Sequence, residues 1–298
     1  MSVLAHAGAP VAPHDLWRAW TLEPTVLVGV VVGGWLYGRG LAVVWRQAGR
    51  GRMVGAGQAG AFAAGLAVLL VALVSPLHAV AEALFSAHMV QHLLLVLVAA
   101  PLLVISEPLR VMPWALRPEQ RSTLLRWHRR MGAADSPAWT AAALAAHVGV
   151  LWLWHLPQLY ETAVNDPLIH LAEHATMLGS ALLFWWAVAG DVRRQRAGVG
   201  VPVLFLATLQ GGALGALMAF SPVAWYRVYA ESVGAWGLTP LQDQQAAGML
   251  MWMPGGIVYV LAGAALFVSW LRADEHAAAA QSRRARRLPP AAASKGGR

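Results

Sequence analysis

Residues 80–105 read VAEALFSAHMVQHLLLVLVAAPLLVI, a stretch that combines a long apolar run with two histidines four positions apart. An apolar segment of about 17–25 residues is long enough to cross a lipid bilayer as a helix. Six further stretches of this kind lie at about 24–45, 57–75, 137–157, 167–190, 201–220 and 245–270. The sequence therefore predicts an all-α, polytopic membrane protein with seven transmembrane helices over residues 24–271.

The composition agrees with a membrane protein and excludes several other classes. Of the 298 residues, 58% are hydrophobic and 12% are charged, which is about half the charged share of a soluble domain. The 15 tryptophans suit aromatic belts at the two membrane interfaces. Because the chain has no cysteine, disulfides, zinc–thiolate sites and iron–sulfur clusters are excluded.

The positions of the arginines predict how the helices are oriented. Nearly all basic residues fall in alternate connections between the predicted spans, at 46–52, 110–130, 193–196 and 272–298. Basic loops tend to stay in the cytoplasm. We therefore expect the N-terminal tail, residues 1–23, outside. The basic tail, residues 272–298, is expected in the cytoplasm as the frayed end of a helix followed by disorder. Such loops attract anionic membrane lipid, and the lack of interleaved aromatic residues argues against nucleic acid as a partner.

Two histidine pairs lie where ionisable side chains are unusual. HMVQH places His88 and His92 four residues apart on one face of the third helix, and HLAEH does the same for His170 and His174. Ionisable residues inside a membrane are costly, so they usually face the bundle interior and serve a function. Two imidazoles at this spacing can chelate a single metal ion. The repeated pair therefore predicts a metal site between helices.

Further histidines are predicted at the same, outer side of the membrane. His78 lies in the connection before the third span, and His155 ends the fourth span in WLWHLP. At about 1.5 Å per residue, both histidine pairs also fall towards the outer ends of their helices. A lone buried histidine such as His147 is more simply explained by a hydrogen bond to a neighbouring helix.

The start of the last span adds thioether, carboxylate and amide groups to this side. DQQAAGMLMWMPGG, residues 243–256, offers Met249 as a thioether ligand one turn after Gln245. Imidazole with thioether and without thiolate favours copper. Carboxylate and amide side chains would orient the ligating rings. The predicted ligands are His78, His88, His92, His155, His170, His174 and Met249, and the predicted supporting groups are Glu173, Asp243 and Gln244.

Haem and membrane proteolysis are the chemistries that compete with copper. Two haems need histidines farther apart than four residues along a helix, although one haem that bridges two helices is left open. A metalloprotease needs the HExxH arrangement, and HLAEH has its glutamate in another position. The sequence therefore predicts no enzyme and places copper ahead of haem.

Five stretches together resemble one protein family. The resemblance is carried by SPLHAVAEALFSAHMVQHLLL at 75–95, LWLWHLPQLYE at 151–161, HLAEHATMLGSALLFWW at 170–186, ALMAFSPVAWYRVY at 216–229 and LTPLQDQQAAGMLMWMPGG at 238–256. They are similar to the caa3-type cytochrome c oxidase assembly factor family, the CtaG family of bacterial membrane proteins. The resemblance implies a multi-pass protein of the bacterial plasma membrane that assists maturation of a haem–copper oxidase. Its partners would be oxidase subunits or other assembly factors.

Residues and resemblance together favour a copper chaperone for oxidase assembly. The outer histidine pairs would bind the ion, and the protein would pass it to the nascent oxidase. Two alternatives stay open at this point. A copper permease would carry the ion across the membrane through a cavity of histidine and methionine. A metal-free scaffold would use the histidines only to connect helices.

Overall fold

The structure is a computed structural model that describes residues 11, 13–133, 136–193 and 197–287. Within these ranges the chain is helical and contains no strand. The α-helices are α1 (Pro24–Ala48), α2 (Ala56–Leu73), α3 (Pro76–Ala81), α4 (Phe85–Leu93), α5 (Ala100–Ile105), α6 (Pro108–Val111), α7 (Pro118–Ala133), α8 (Pro137–Trp154), α9 (Pro157–Asn165), α10 (Pro167–Arg193), α11 (Ala197–Ala219) and α12 (Pro240–Arg287). Short 3-10 helices lie at Pro13–Arg18, Met112–Ala115 and Val233–Trp236, and a π-helix lies at Leu94–Ala99.

Six stretches are long and apolar enough to cross a membrane by length and composition. They are Pro24–Ala48, Ala56–Leu73, Phe85–Ala115, Pro137–Trp154, Gly198–Ala219 and Pro240–Arg272. This confirms the prediction of an all-helical chain with several membrane-spanning helices. The helix over the predicted fifth span, α10, is not one of the six, and it carries His170, Glu173 and His174 in its first two turns. The seventh crossing therefore stays a prediction.

The structure describes part of each predicted tail. Pro13–Arg18 forms a 3-10 helix within the N-terminal segment, whose residues 1–10 and 12 lie outside the described residues. Helix α12 runs on past the predicted end of its span to Arg287, so the helix end expected in the basic tail extends to that residue. Residues 288–298 lie outside the described residues.

Prolines at helix starts divide the chain into long and short helices. Most of the α-helices begin at a proline, because the first helical residue needs no amide donor and proline has the required φ. Ser75 and Ser136 add side-chain caps, accepting the amides of Leu77 and Trp139 at 3.2 Å each. The short helices α3 and α9 thus precede α4 and α10, the helices that carry the two histidine pairs.

The predicted third span is not a single α-helix. The chain widens into the π-helix before Pro101, and the amide of Ala100 bonds to the carbonyl of Leu95. In this pattern the donor for the Val96 carbonyl would be residue 101, but proline has no amide hydrogen. The indole Nε1 of Trp185 donates to the Val96 oxygen instead, at 2.8 Å. A side chain of α10 therefore stabilises the widened turn.

Helices α11 and α12 touch through two glycines. A Cβ atom on Gly248 would lie 2.5 Å from the oxygen of Gly215, and one on Gly215 would lie 2.7 Å from the oxygen of Gly248. Small residues at such a contact allow two membrane helices to approach closely. Gly215 lies in the stretch 211–220, which is rich in glycine and alanine. The glycine contact sets the rotation of α12, and so decides which of its side chains face the bundle.

Two apolar clusters lie on either side of the polar part of the bundle. One contains Met177, Phe184 and Trp185, which follow the histidines along α10. The other contains Phe85 together with Tyr160, Tyr226 and Tyr229, and it joins the start of α4 to α9 and the loop 221–239. The predicted site residues of α4 and α10 lie between these clusters.

Candidate metal centre

All six predicted histidine ligands belong to one cluster. Within each helical pair, His88–His92 and His170–His174, the ring centroids lie 4.4 Å apart. The pairs face each other, because His174 lies 5.7 Å from His88 and 5.3 Å from His92. The remaining two histidines lie at the edges of the cluster. The ring centroid of His78 is 5.8 Å from that of His170, and the ring centroid of His155 is 6.5 Å from that of His92. Five of the six rings are buried, and His170 is half-buried.

Two sets of three side chains have the geometry to hold one metal ion. One set is His88, His92 and His174, and the other is His88, His170 and Glu173; the ligand atoms of each lie within 4.8 Å of one another. Bonds of about 2.0–2.1 Å at tetrahedral angles separate neighbouring ligand atoms by about 3.3 Å. The Nε2 atoms of His88 and His92 are 2.9 Å apart, and Glu173 Oε1 lies 3.6 Å from each of them. The distance between the two nitrogens is slightly shorter than the separation expected for ligands of one ion, and the distances to the carboxylate oxygen are slightly longer.

Glu173 lies among the rings instead of behind them. It is 0% exposed, and neither of its oxygens has a hydrogen-bond partner within the described residues. The same holds for His92 Nδ1, His170 Nε2 and His174 Nε2. Buried polar atoms nearly always have a partner, so a group of unpaired ones is a mark of a ligand site. Glu173, expected as a supporting group, therefore stands at ligand distance.

Hydrogen bonds fix the rings at both edges of the cluster. His155 Nδ1 lies 2.7 Å from the carbonyl of Leu151, so this nitrogen carries the proton and Nε2 keeps its lone pair. The Gln91 amide lies 2.9 Å from His78 Nδ1 and also donates to the carbonyl of Ala72 at 2.7 Å. His78 Nε2 lies 3.8 Å from a carboxylate oxygen of Glu82. His78 therefore packs on the cluster but belongs to neither ligand set.

Asp243 and Gln244 do not orient imidazoles as predicted. The two carboxylate oxygens of Asp243 accept the main-chain amides of Phe85 and Ser86, at 2.7 and 3.1 Å. Gln244 accepts the amide of Trp225 at 2.6 Å and donates to the carbonyl of Val223 at 3.1 Å. Their polar atoms are taken by main chain, so Asp243 holds the start of α4 and Gln244 holds the loop 221–239.

Met249 is the predicted ligand that the structure places elsewhere. Its side chain is 42% exposed, whereas Gln244, Ala247 and Met251 of the same helix are buried. Positions three and four residues apart share a helix face, so the face that includes 244, 247 and 251 turns inward. Met249 lies on another face of α12, and the glycine contact with α11 keeps it there.

The sequence analysis missed Met89 and three tyrosines. Met89 is 0% exposed, and its sulfur lies 3.3 Å from His155 Nε2. Its place in HMVQH, three residues before His92, was the available signal, since that spacing puts both on one helix face. The tyrosines stand in two of the stretches that carry the family resemblance, but no metal-ligand spacing marks them. Long-range contacts of α9 and loop 221–239 bring them to the cluster.

These tyrosines, Tyr160, Tyr226 and Tyr229, form a cover over the histidines. The hydroxyls of Tyr160 and Tyr229 lie 2.7 Å apart, and Tyr226 donates to the carbonyl of His155 at 2.9 Å. The Tyr160 ring lies 5.2 Å from that of His88. Burial raises the pKa of all three tyrosines. The cover is therefore a set of neutral hydroxyls at physiological pH.

His147 lies apart from this network, as expected for a lone histidine. Its Nε2 is 3.1 Å from the hydroxyl of Tyr259, and its Nδ1 is 3.4 Å from the hydroxyl of Ser180. Both ring nitrogens thus have partners on other helices.

The fold and the site define a class: a multi-pass helical membrane protein with a buried cluster of imidazoles and one carboxylate. The chain belongs to the cytochrome c oxidase caa3 assembly factor family, whose family model matches residues 35–273. This match confirms the resemblance on which the sequence analysis relied. The family is one of assembly factors and not of enzymes, as predicted.

The relatives found among curated proteins come from mycobacteria. The chain is 28% identical over 284 residues to an uncharacterized protein of Mycobacterium bovis, and equally to one of Mycobacterium tuberculosis. Each alignment covers 91% of this chain and 42% of the relative. The chain therefore spans less than half the length of the curated relatives it matches. No solved structure matches it.

Proposed function

We propose that this protein assists the assembly of a haem–copper cytochrome c oxidase by binding a copper ion in the histidine cluster and passing it to the nascent oxidase. The family supplies the assembly role. The observation that carries the copper role is the pair of three-ligand sets that share His88. Oxidase subunits or other assembly factors would receive the ion.

The proposal includes seven crossings of the bacterial plasma membrane, with the N-terminus outside. Helix α10 supplies the additional crossing, since its 27 residues are long enough to span a bilayer. Alternate basic connections support this orientation. His155 ends α8, and His170 begins the polar stretch of α10, so the cluster would lie near the outer surface. The half-buried His170 would be the point of entry and release.

The ligand chemistry supports copper over haem. The cluster offers imidazoles with a thioether beside them and no thiolate, a combination that suits copper. Ring centroids within the two helical pairs and between them lie 4.4–5.7 Å apart. Rings packed this closely suit a single ion better than an inserted macrocycle.

The packing supports a carrier over a permease. Towards the predicted cytoplasmic side, Trp185 stacks on Tyr259 with centroids 5.7 Å apart, and Phe184 packs edge-on against the same ring. The indole and phenyl rings of Trp185 and Phe184 offer no lone pair to an ion in transit. Copper bound at the histidines would leave by the side from which it came.

The first experiment measures metal in the detergent-purified protein after exposure to Cu(I), Zn²⁺ or haem. The wild type is compared with His88→Gln/His174→Gln, and His147→Gln serves as a control with an equally buried histidine outside the cluster. We expect the wild type and the control to bind copper near stoichiometrically and the double variant to lose the copper of the cluster.

A second measurement tests the assembly role itself. Copper content is determined in the oxidase purified from cells that carry either the wild type or the double variant. The proposal predicts copper-depleted oxidase with the double variant. If the wild-type protein binds no copper under any loading, the copper role is rejected and the metal-free scaffold is the remaining function. If vesicles that contain the protein take up copper, the permease is favoured instead.

A further inference from the structure

His155 and Met89 present two lone pairs to each other. His155 Nδ1 donates its proton to the carbonyl of Leu151 in a hydrogen bond, so Nε2 of the neutral ring is an acceptor. Thioether sulfur has no hydrogen to donate. The two atoms are nevertheless 3.3 Å apart and fully enclosed. Protonating the ring a second time would create a buried charge, so a bound cation is the simpler way to satisfy both atoms.

This contact lies in the wall of a pocket of about 50 Å³. Most of the residues that line the pocket are apolar, but they include Met89, Met177, Met251, His92 and His155, and His147 farther along the bundle. Its volume exceeds the roughly 10–15 Å³ that one water molecule occupies by the same kind of measure. The lining contains thioethers and imidazoles and no carboxylate. Such a lining selects Cu(I) over Zn²⁺ or Cu²⁺.

We propose that Met89 and His155, with Nδ1 of His92, form a second copper site that is specific for Cu(I). The inference rests on the proposed function, because it gives the copper carrier a second position for its ion. Bonds of about 2.0 Å to nitrogen and 2.3 Å to sulfur at a tetrahedral angle place these atoms about 3.5 Å apart. The observed separation of Nε2 and Sδ, 3.3 Å, is close to that distance.

His92 links this site to the first one. Its Nε2 lies 2.9 Å from Nε2 of His88, in the first ligand set, whereas its Nδ1 is buried without a partner among the described residues. The imidazole of His92 would thus be a ligand in both sites, through Nε2 in the first and through Nδ1 in the second. Copper could move between a site of imidazole and carboxylate and a site of imidazole and thioether without leaving the bundle.

The test combines metal binding with X-ray absorption at the copper edge on the full-length protein in detergent. The key variant is Met89→Leu, because the exchange of methionine for leucine conserves volume and usually costs less than about 1.5 kcal/mol. Met218→Leu is the matched control, since Met218 is equally buried in the same apolar cluster. We expect the wild type and Met218→Leu to show sulfur scattering from bound Cu(I). Met89→Leu should lose that signal, bind Cu(I) through nitrogen scatterers only, and keep its Zn²⁺.

The outcomes separate this inference from the proposed function. Wild-type protein that binds Cu(I) with nitrogen scatterers only would overturn the second site and leave the first intact. Loss of sulfur scattering in Met218→Leu as well would also overturn it, because the effect would not belong to Met89. Absence of both Cu(I) and Zn²⁺ from the wild type would reject the proposed function itself.

Discussion

The carboxylate of Asp243 accepts the main-chain amide of Phe85 at 2.7 Å, across 158 residues of sequence. The second oxygen of Asp243 accepts the amide of Ser86. The first amides of a helix have no partner within it, and a negative charge at this end is also favoured by the helix dipole. The last long helix therefore fixes where α4 begins, and with it the positions of His88 and His92.

Removal of this cap should weaken both the fold and the metal site. We expect Asp243→Ala to lower the free energy of unfolding by about 0.5–2 kcal/mol, the range for a lost N-cap, and to reduce copper affinity. Thermal unfolding and copper titration in detergent check this. Asp166→Ala is the control, because Asp166 caps α10 at an exposed position where water can replace it. An equal effect of both substitutions would argue against a special role of Asp243.

The indole of Trp185 should prove necessary for the π-helix. Trp185→Phe keeps most of the ring but leaves the Val96 carbonyl without its donor. A buried acceptor without a partner costs about 1–3 kcal/mol, and we expect thermal stability to fall accordingly. Trp252→Phe, at an indole that is 40% exposed, should change stability much less. Similar melting temperatures for the two variants would contradict this interpretation.

A single methyl group added at the glycine contact should push α11 and α12 apart. In Gly248→Ala the new Cβ would meet main-chain atoms of Gly215 and Ala219, which cannot move independently of their helix. We expect lower thermal stability and, because α12 carries Asp243, weaker metal binding. Gly211→Ala meets nothing within 4 Å and should be neutral or stabilising by about 0.5–1 kcal/mol, the usual gain of alanine over glycine in a helix. Equal stability of the two variants would show that the helices can separate without loss.

High pH should loosen the tyrosine cover. Burial raises the pKa of Tyr160 and Tyr229 above its ordinary value. A group whose pKa is higher in the folded state contributes its full stability below the unfolded pKa, about 10 for tyrosine, and loses it as the pH rises through the folded pKa. We therefore expect constant stability between about pH 7 and 9 and a decline above about pH 10.

The comparison with Tyr229→Phe isolates this contribution. This variant lacks the 2.7 Å hydroxyl contact with Tyr160, so it should be less stable at neutral pH and should lose less stability above about pH 10. Unfolding is followed by near-ultraviolet circular dichroism at each pH. Parallel pH profiles for the wild type and the variant would show that the pair does not control the alkaline loss.

Glu173 should discriminate between metals. Glu173→Gln keeps the shape of the side chain but removes a charged oxygen ligand 3.6 Å from both His88 and His92. Carboxylate suits Zn²⁺ and Cu²⁺ better than Cu(I). We therefore expect Zn²⁺ affinity to fall by at least about 10–100-fold, the range for loss of a group that only supports a ligand, and Cu(I) affinity to fall less. Glu161→Gln, in α9, provides the control. An equal loss for both metals would indicate a structural role for the carboxylate.

Much of the fold and part of the site could be predicted from local sequence. Apolar runs of membrane-spanning length produce helices because lipid offers no partner for an unsatisfied backbone. The spacing of HMVQH and HLAEH places each histidine pair on one helix face whatever the surroundings. Those patterns were sufficient to name four histidines of the cluster and the glutamate beside them. His78 and His155 were named from their place at the predicted outer ends of the spans.

The remaining features depended on contacts between distant parts of the chain. Met249 and Met251 are equivalent in local sequence, and only the rotation of α12, set where Gly248 meets Gly215, turns Met251 inward and leaves Met249 exposed. Asp243 bonds to the start of α4 instead of an imidazole because tertiary folding brings unpaired amides to its carboxylate. Helix period is a property of the local backbone, whereas rotation and partner choice are decided by packing and by the satisfaction of buried polar groups. That is why the histidine pairs could be read from the chain and the pairing of Met89 with His155 could not.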